Sequence, residues 1–460
     1  MTPAREPQPF TPPSLKWLIW IYLGTLILEG PLRKWILPQL SNPLLLIRDP
    51  VLILIYLTAA FNGALRFTTS TISLMALAVV AGITSMLAGT GNFWVTLYGI
   101  DTSFLHLPLI FVIYHALDRR DVERIGRVVL YLGIPMAVLM AVQFRSDPNA
   151  FVNVGPGGYA GTQMEAVLGK IRPPGFFNFI TGAAHFLTIE AAFLVHWLMQ
   201  KGSSRRFLLL ISGVCLIISV AVSTSRLTLG GIALVFLMIG FIGYYNRAAI
   251  AGAVAMLLPL GIAFVIATSL DVFHEGTHVF EARLENTGEA DAHLATTVTR
   301  WSDRVLGDVL AGYKAFATAP IWGYGIGYGT NVGSRLLTGK IGFTADEREW
   351  GRVILEIGPI LGTLYLAIRV AICVVMFRQA ATSARVGNFL PFLLFGCAGL
   401  MIINGQFGVT STLGFTVSAC GLCLAATKDD RRILAPSTPV PAVRLRRGTS
   451  PYSAKLRERR

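Results

Sequence analysis

The sequence predicts an all-α polytopic membrane protein with about twelve transmembrane helices and one large extracytoplasmic loop between spans nine and ten. Three observations carry that reading. The 460 residues are 53% hydrophobic and only 14% charged, against roughly 25% charged in soluble domains. The mean hydropathy is +0.61. The apolar residues also fall into long runs, separated by charged or Gly/Pro breaks. So few charges cannot cover a soluble surface of this size, and the outside must face lipid.

The runs place spans near 15–29, 44–61, 72–89, 104–117, 128–144, 179–199, 207–223, 227–243, 249–270, 353–377, 389–404 and 410–426. Several are shorter than the usual ~20 residues, so their bounds are loose. The Pro-rich polar lead before Leu15 lacks a small-residue cleavage site and does not read as a secretory signal. With both termini inside, inner segments hold 23 Lys and Arg and outer segments 15. Eight of those fifteen lie in the long segment 271–352, which is largely exempt from the positive-inside rule. The chain therefore divides into 1–270 (nine spans, with an outer loop at 145–178), an extracytoplasmic domain at 271–352, spans ten to twelve at 353–426 and a basic cytoplasmic tail at 427–460.

The net charge of +14 does not point to nucleic acid. Much of it sits in the tail, where ten Lys and Arg face three acids from Lys428 to Arg460. A tail of that kind beside a last span binds anionic lipid, and its single aromatic residue, Tyr452, does not make a base-stacking surface. The five cysteines lie in apolar runs. Cys420-x-x-Cys423 lacks the second ligand pair of a zinc site and reads as packed thiols.

Five stretches could carry chemistry. Arg226, in Ser223-Thr-Ser-Arg226, breaks an apolar stretch at the membrane edge and offers a planar fork suited to phosphate; a snorkelling arginine is the plain alternative. Arg172 opens Arg172-Pro-Pro-Gly175 just before span six, where Pro stiffens the chain and Gly permits close approach. Arg300 and Arg304 share a face of a helix expected over 299–319, although Arg304 can pair with Asp308. Gly323-Tyr-Gly-Ile-Gly-Tyr-Gly329 lacks the strand-turn-helix context of a nucleotide site and reads as a turn. Finally, Glu349, Arg352 and Glu356 fall on one helix face, which pairs a carboxylate base with a phosphate-binding guanidinium. Thr344-x-x-Glu347 has the form of a capping box, and Glu349 with Arg352 that of a simple ion pair. The histidines form no convincing metal set, and His185 reads as a core residue.

With Ser225-Arg226, Arg172-x-x-Gly175, the glycine turn and Glu356-x-Gly358 on the page, the chain resembles the O-antigen polymerase and ligase superfamily. Glu29-Gly-Pro-Leu-Arg-Lys-Trp35 and Ile47-Arg-Asp-Pro50 resemble its exopolysaccharide-polymerase-like members. The resemblance implies a GT-C-like glycosyltransferase of the bacterial inner membrane that joins undecaprenyl-diphosphate-linked oligosaccharides into an exopolysaccharide or O-antigen. It implies no metal and no cofactor, and partners that are lipid-linked donor and acceptor, membrane lipids and chain-length or export proteins. Arg172, Arg226, Arg300 and Arg352 would bind the diphosphate, with Glu347 or Glu349 as base. The ligases carry a His-Asn pair where this chain has Glu347 and Arg348, which favours a polymerase over a ligase. A polysaccharide-unit flippase is the alternative from another class.

Overall fold

The computed structural model describes residues 12–63, 69–200, 206–286, 294–340, 342 and 344–428. Among these, the regular structure is helical apart from one isolated bridge between Glu165 and Ile171. The first half runs through α1 (Pro13–Pro31), α2 (Arg48–Phe61), α3 (Thr69–Leu87), α4 (Phe93–Ile100), α5 (Leu109–Ala116) and α6 (Arg119–Arg145). After the irregular 146–179 segment come α7 (Ile180–Met199), α8 (Arg206–Ser223), α9 (Arg226–Tyr245) and α10 (Ala248–Thr268). The long polar segment is itself mostly helical, with α11 (Asp271–Asn286), α12 (Leu294–Thr318), α13 (Asn331–Thr338) and the start of α14 (Glu349–Ile357). The chain then closes with α15 (Pro359–Arg385), α16 (Leu390–Asn404) and α17 (Thr410–Ala425).

The protein is a multi-pass membrane protein. Among the described residues, nine helical stretches are long and apolar enough to cross a membrane, and Thr71–Leu87, α16 and α17 are shorter apolar helices. The α7 helix sits at the centre, 89% buried, whereas the Ala249–Thr268 stretch of α10 is only 22% buried and turns Leu257, Leu258 and Val265 outward. An apolar outer face needs lipid around it.

Three expected boundaries move, each for a local reason. The fourth span begins at Phe93 rather than 104, because the Asn92 side chain caps α4 by accepting from the amides of Trp94 and Val95 at 3.0 and 3.2 Å. The fifth begins at Arg119 rather than 128, because Asp118 and Asp121 form a reciprocal capping box. The tenth is split: α14 ends at Gly358, whose φ is +85°, and a Cβ there would lie 2.1 Å from the Ile321 carbonyl oxygen.

The loops gather at one end of the bundle. Arg145 pairs with Glu275 at 2.8 Å, an Arg283 guanidinium nitrogen donates to the Thr224 carbonyl, and Gln406 donates to the Glu347 carbonyl. These contacts join the described parts of the polar segment to the ends of α6, α8 and α16, and the candidate site lies there. Of the basic tail, only Thr427 and Lys428 are among the described residues.

Candidate functional site

The Arg172 turn is held from three sides. Gly175 has φ +57°, and a Cβ on it would come within 2.3 Å of the Met136 side chain. Its amide donates to Gln143 Oε1 at 2.8 Å, while the buried Lys34 ammonium donates to the carbonyls of Gly175 and Phe177, both at 2.8 Å. Asn178 Nδ2 donates to Glu29 Oε1 at 3.1 Å, and Glu29 is itself paired with Arg33 at 2.8 Å and Arg48 at 3.5 Å. The sequence motifs at 29–35 and 47–50 thus act as scaffold for the Arg172 turn.

Held in this way, Arg172 keeps its Nε buried without a partner. Burial first, and the Arg226 guanidinium second, hold Arg172 below the ordinary arginine range. Two cations that act on each other at a half-buried site repel, and an anion between them removes the penalty. Arg226 is the first residue of α9, whose Ser225 cap accepts from the Thr228 amide at 3.5 Å. A helix N-terminus adds its own positive end to such a site. Just before it, Thr224 has φ +45°, a left-handed conformation costly for a β-branched residue.

Glu349, Arg352 and Glu356 do share a face of α14, and all three are consumed there. Arg352 is bidentate to Glu349 at 3.0 and 2.9 Å and donates to Glu356 at 2.7 Å. Arg369, from mid-α15, donates to Glu349 Oε1 at 2.6 Å and to the carbonyls of Ile402 and Gly405 at 2.7 and 2.9 Å, with its guanidinium 3.8 Å from the Phe407 ring centre. Glu356 Oε1 accepts from the Gly329 amide at 2.8 Å. This buried network ties α14 to α15, to the turn after α16 and to the glycine turn. That turn is a joint: the amides of Tyr324 and Gly325 donate to the carbonyls of Leu355 and Glu356 at 2.8 and 2.9 Å, and the Ile326 amide donates to Ser85 Oγ at 2.6 Å.

The capping box is not formed. The α14 helix starts at Glu349 with Arg348 at its cap position, and the Thr344 hydroxyl donates instead to the Tyr328 carbonyl. Glu347 is left exposed, with no side-chain bond or ion pair among the described residues. The helix expected over 299–319 is present as α12 and begins five residues earlier, at Leu294. It places Arg300 in its second turn, but the Arg300 and Arg304 side chains lie outside the described residues.

Between these parts lies a cavity of about 400 Å³, walled by α7, α9 and α16 and roofed by Asp308, Glu347 and Arg348. Leu227, next to Arg226, and Thr181, at the start of α7, line the cavity. Three residues that line it carry a buried polar atom with no partner: His185 Nε2, Asn404 Oδ1 and Thr412 Oγ1. Orphaned buried polar atoms are costly unless a ligand or water meets them. Asp308 is 9% exposed. Burial is the main cause that pushes its carboxyl up to about 6, with Glu349 and Asp346 adding to it and Arg348 and Arg369 opposing it.

Sequence reasoning passed over Asp308 as a pairing partner and His185 as core; it counted Arg369 only as a charge within a span and left Asn404 unremarked. It also found no metal set. Among the described residues, Asp49, Asp101 and His106 bring ligand atoms within 4.8 Å of one another. His106 Nε2 lies 3.2 Å from Asp49 and 3.5 Å from Asp101, and its Nδ1 is 3.0 Å from the Tyr22 hydroxyl. The neighbouring Arg48 cation already acts on both aspartates, which weakens the pull of this trio on a second cation. Compared with known proteins, the chain matches no family model and no curated sequence.

Proposed function

We propose that this protein is a membrane glycosyltransferase that polymerises undecaprenyl-diphosphate-linked oligosaccharides at the outer face of a bacterial inner membrane. The observation that carries the reading is a pair of arginines, Arg172 and Arg226, that act on each other's charge, with Leu227, the neighbour of Arg226, lining a mainly apolar cavity. Two forks set against each other suit a diphosphate, and fixed positive charge stabilises its departure as a metal does elsewhere. The adjoining cavity has the size and the unpartnered donors and acceptors to seat sugar hydroxyls. In this reading the fold is GT-C-like with twelve spans, both termini are cytoplasmic and 271–352 faces outward. Arg300, on α12, is the third arginine of the proposed diphosphate site, whereas Arg352 serves the α14 network and Glu349 is its anchor.

The test is reconstitution in proteoliposomes with a lipid-linked repeat unit, without metal or nucleotide sugar. Elongated lipid-linked products are expected. A second reading, a flippase for the same unit, is favoured by Glu190: it lies fully buried in mid-α7 with both carboxyl oxygens unpartnered, as a transporter's midplane site requires. Transfer of the unit across the bilayer without elongation would establish the flippase instead. Single cysteines introduced into α11 and the tail, treated with an impermeant thiol reagent on intact cells, should be modified in α11 only. The reverse pattern would invert the orientation and remove the outer-face site.

A further inference from the structure

We propose that Asp308 is the group that takes the proton from the attacking acceptor hydroxyl. The assignment rests on the glycosyltransferase reading. Three carboxylates stand at the cavity roof: Asp308, Glu347 and Glu349. Glu349 is locked by Arg352 and Arg369, so protonating it would break both ion pairs. Glu347 is exposed, where bulk water competes for its oxygens. Asp308 is buried in the wall with no hydrogen bond or ion pair among the described residues.

The surroundings of Asp308 set its work. Arg348 lies over the preceding residue, so closely that a Cβ on Gly307 would come within 1.9 Å of its Nη1. Glu349, Asp346 and Arg369 complete the charges that act on it. His185, Asn404 and Thr412 line the same cavity, and each carries an unpartnered polar atom that a sugar hydroxyl would satisfy once the side chain turns toward it. Because burial brings the carboxyl to about 6, it is ionised at neutral pH yet close enough to the working pH to accept a proton readily. In the step itself, the acceptor oxygen bonds to the donor's anomeric carbon as its proton passes to an Asp308 oxygen. The anomeric C–O bond to the diphosphate breaks, the electron pair leaves with the lipid diphosphate between Arg172 and Arg226, and Asp308 later releases the proton to water.

The experiment compares wild type, Asp308→Asn, Asp308→Glu and Glu347→Gln in proteoliposomes with a lipid-linked oligosaccharide, reading kcat, donor KM and the pH profile. Wild-type turnover should fall below about pH 6, where Asp308 is protonated. Asp308→Asn should lower kcat roughly a hundredfold, keep the donor KM and lose that acid limb, while Asp308→Glu keeps the limb. The Asn variant should melt no lower than wild type, since it removes a buried charge, so its lost turnover would not be unfolding. Asp308→Asn turnover within about threefold of wild type, or loss of the limb in Glu347→Gln instead, overturns the assignment. Wild-type vesicles that never elongate the donor defeat the glycosyltransferase reading, and the proposal with it.

Discussion

The α14 network and the cavity beside it share a wall, yet they treat polar groups in opposite ways. Around Glu349, Arg352, Glu356 and Arg369 the carboxylates and guanidiniums are matched at 2.6–3.0 Å, with backbone carbonyls closing the remaining donors. Around the cavity, His185, Asn404 and Thr412 keep buried polar atoms without partners, and Asp308 has no cation bonded to it among the described residues. A buried ion pair that is fully satisfied defines geometry, and losing one member is costly. A buried polar atom left unsatisfied costs stability in the empty protein and is recovered when a ligand arrives. In the proposed reading, the difference separates the residues that build the site from those that would use it.

Breaking the network should have the largest effect. Arg369→Met leaves Glu349 half-paired and the carbonyls of Ile402 and Gly405 without their donor. A loss of ~3–5 kcal/mol is expected, read as a large fall in melting temperature in detergent. A protein as stable as wild type would mean that the network does not hold α14 to α15.

On the other side of the comparison, Arg226→Lys should leave folding and insertion intact and lower polymer output roughly a hundredfold, the scale of losing one fixed donor to developing charge. The charge remains, but the fork is gone. Normal output at matched protein level would remove Arg226 from the anion site.

A smaller and mixed effect is expected where scaffold meets site. Gly175→Ala forces a left-handed alanine against Met136, at a cost of ~1–2 kcal/mol. It should also shift Arg172 and raise the donor KM more than it lowers stability. A variant with lowered stability and an unchanged KM would make the turn a structural element only.

The smallest effect should come from Cys420 and Cys423. Both thiols are buried in α17 and donate only to carbonyls, with Cys423 3.2 Å from the Pro391 oxygen. The double Ala variant should keep its activity and lose at most about 2 kcal/mol, because little volume is removed. Loss of activity at full stability would give the pair a chemical role.

Whatever depends on neighbours along the chain was legible in the sequence. The apolar runs foretold the helices because burial in lipid requires length and apolarity, which composition displays. The amphipathic pattern from Thr299 foretold α12, and Glu349, Arg352 and Glu356 at spacings of three and four had to share a face. Gly175 and Gly358 stand where the backbone turns left-handed, as their place beside proline suggests. What that face does was decided only in three dimensions. Arg369 reaches Glu349 from twenty residues away and turns a candidate base into an anchor. The start of α14 at Glu349 frees Glu347 from the capping duty its spacing proposed. Arg172 and Arg226 act on each other only because Lys34, Gln143 and Asn178 hold the turn between α6 and α7 beside the N-terminus of α9. Helix spacing assigns a residue to a face, but the charge and burial of an ionisable group depend on what the fold packs across from it.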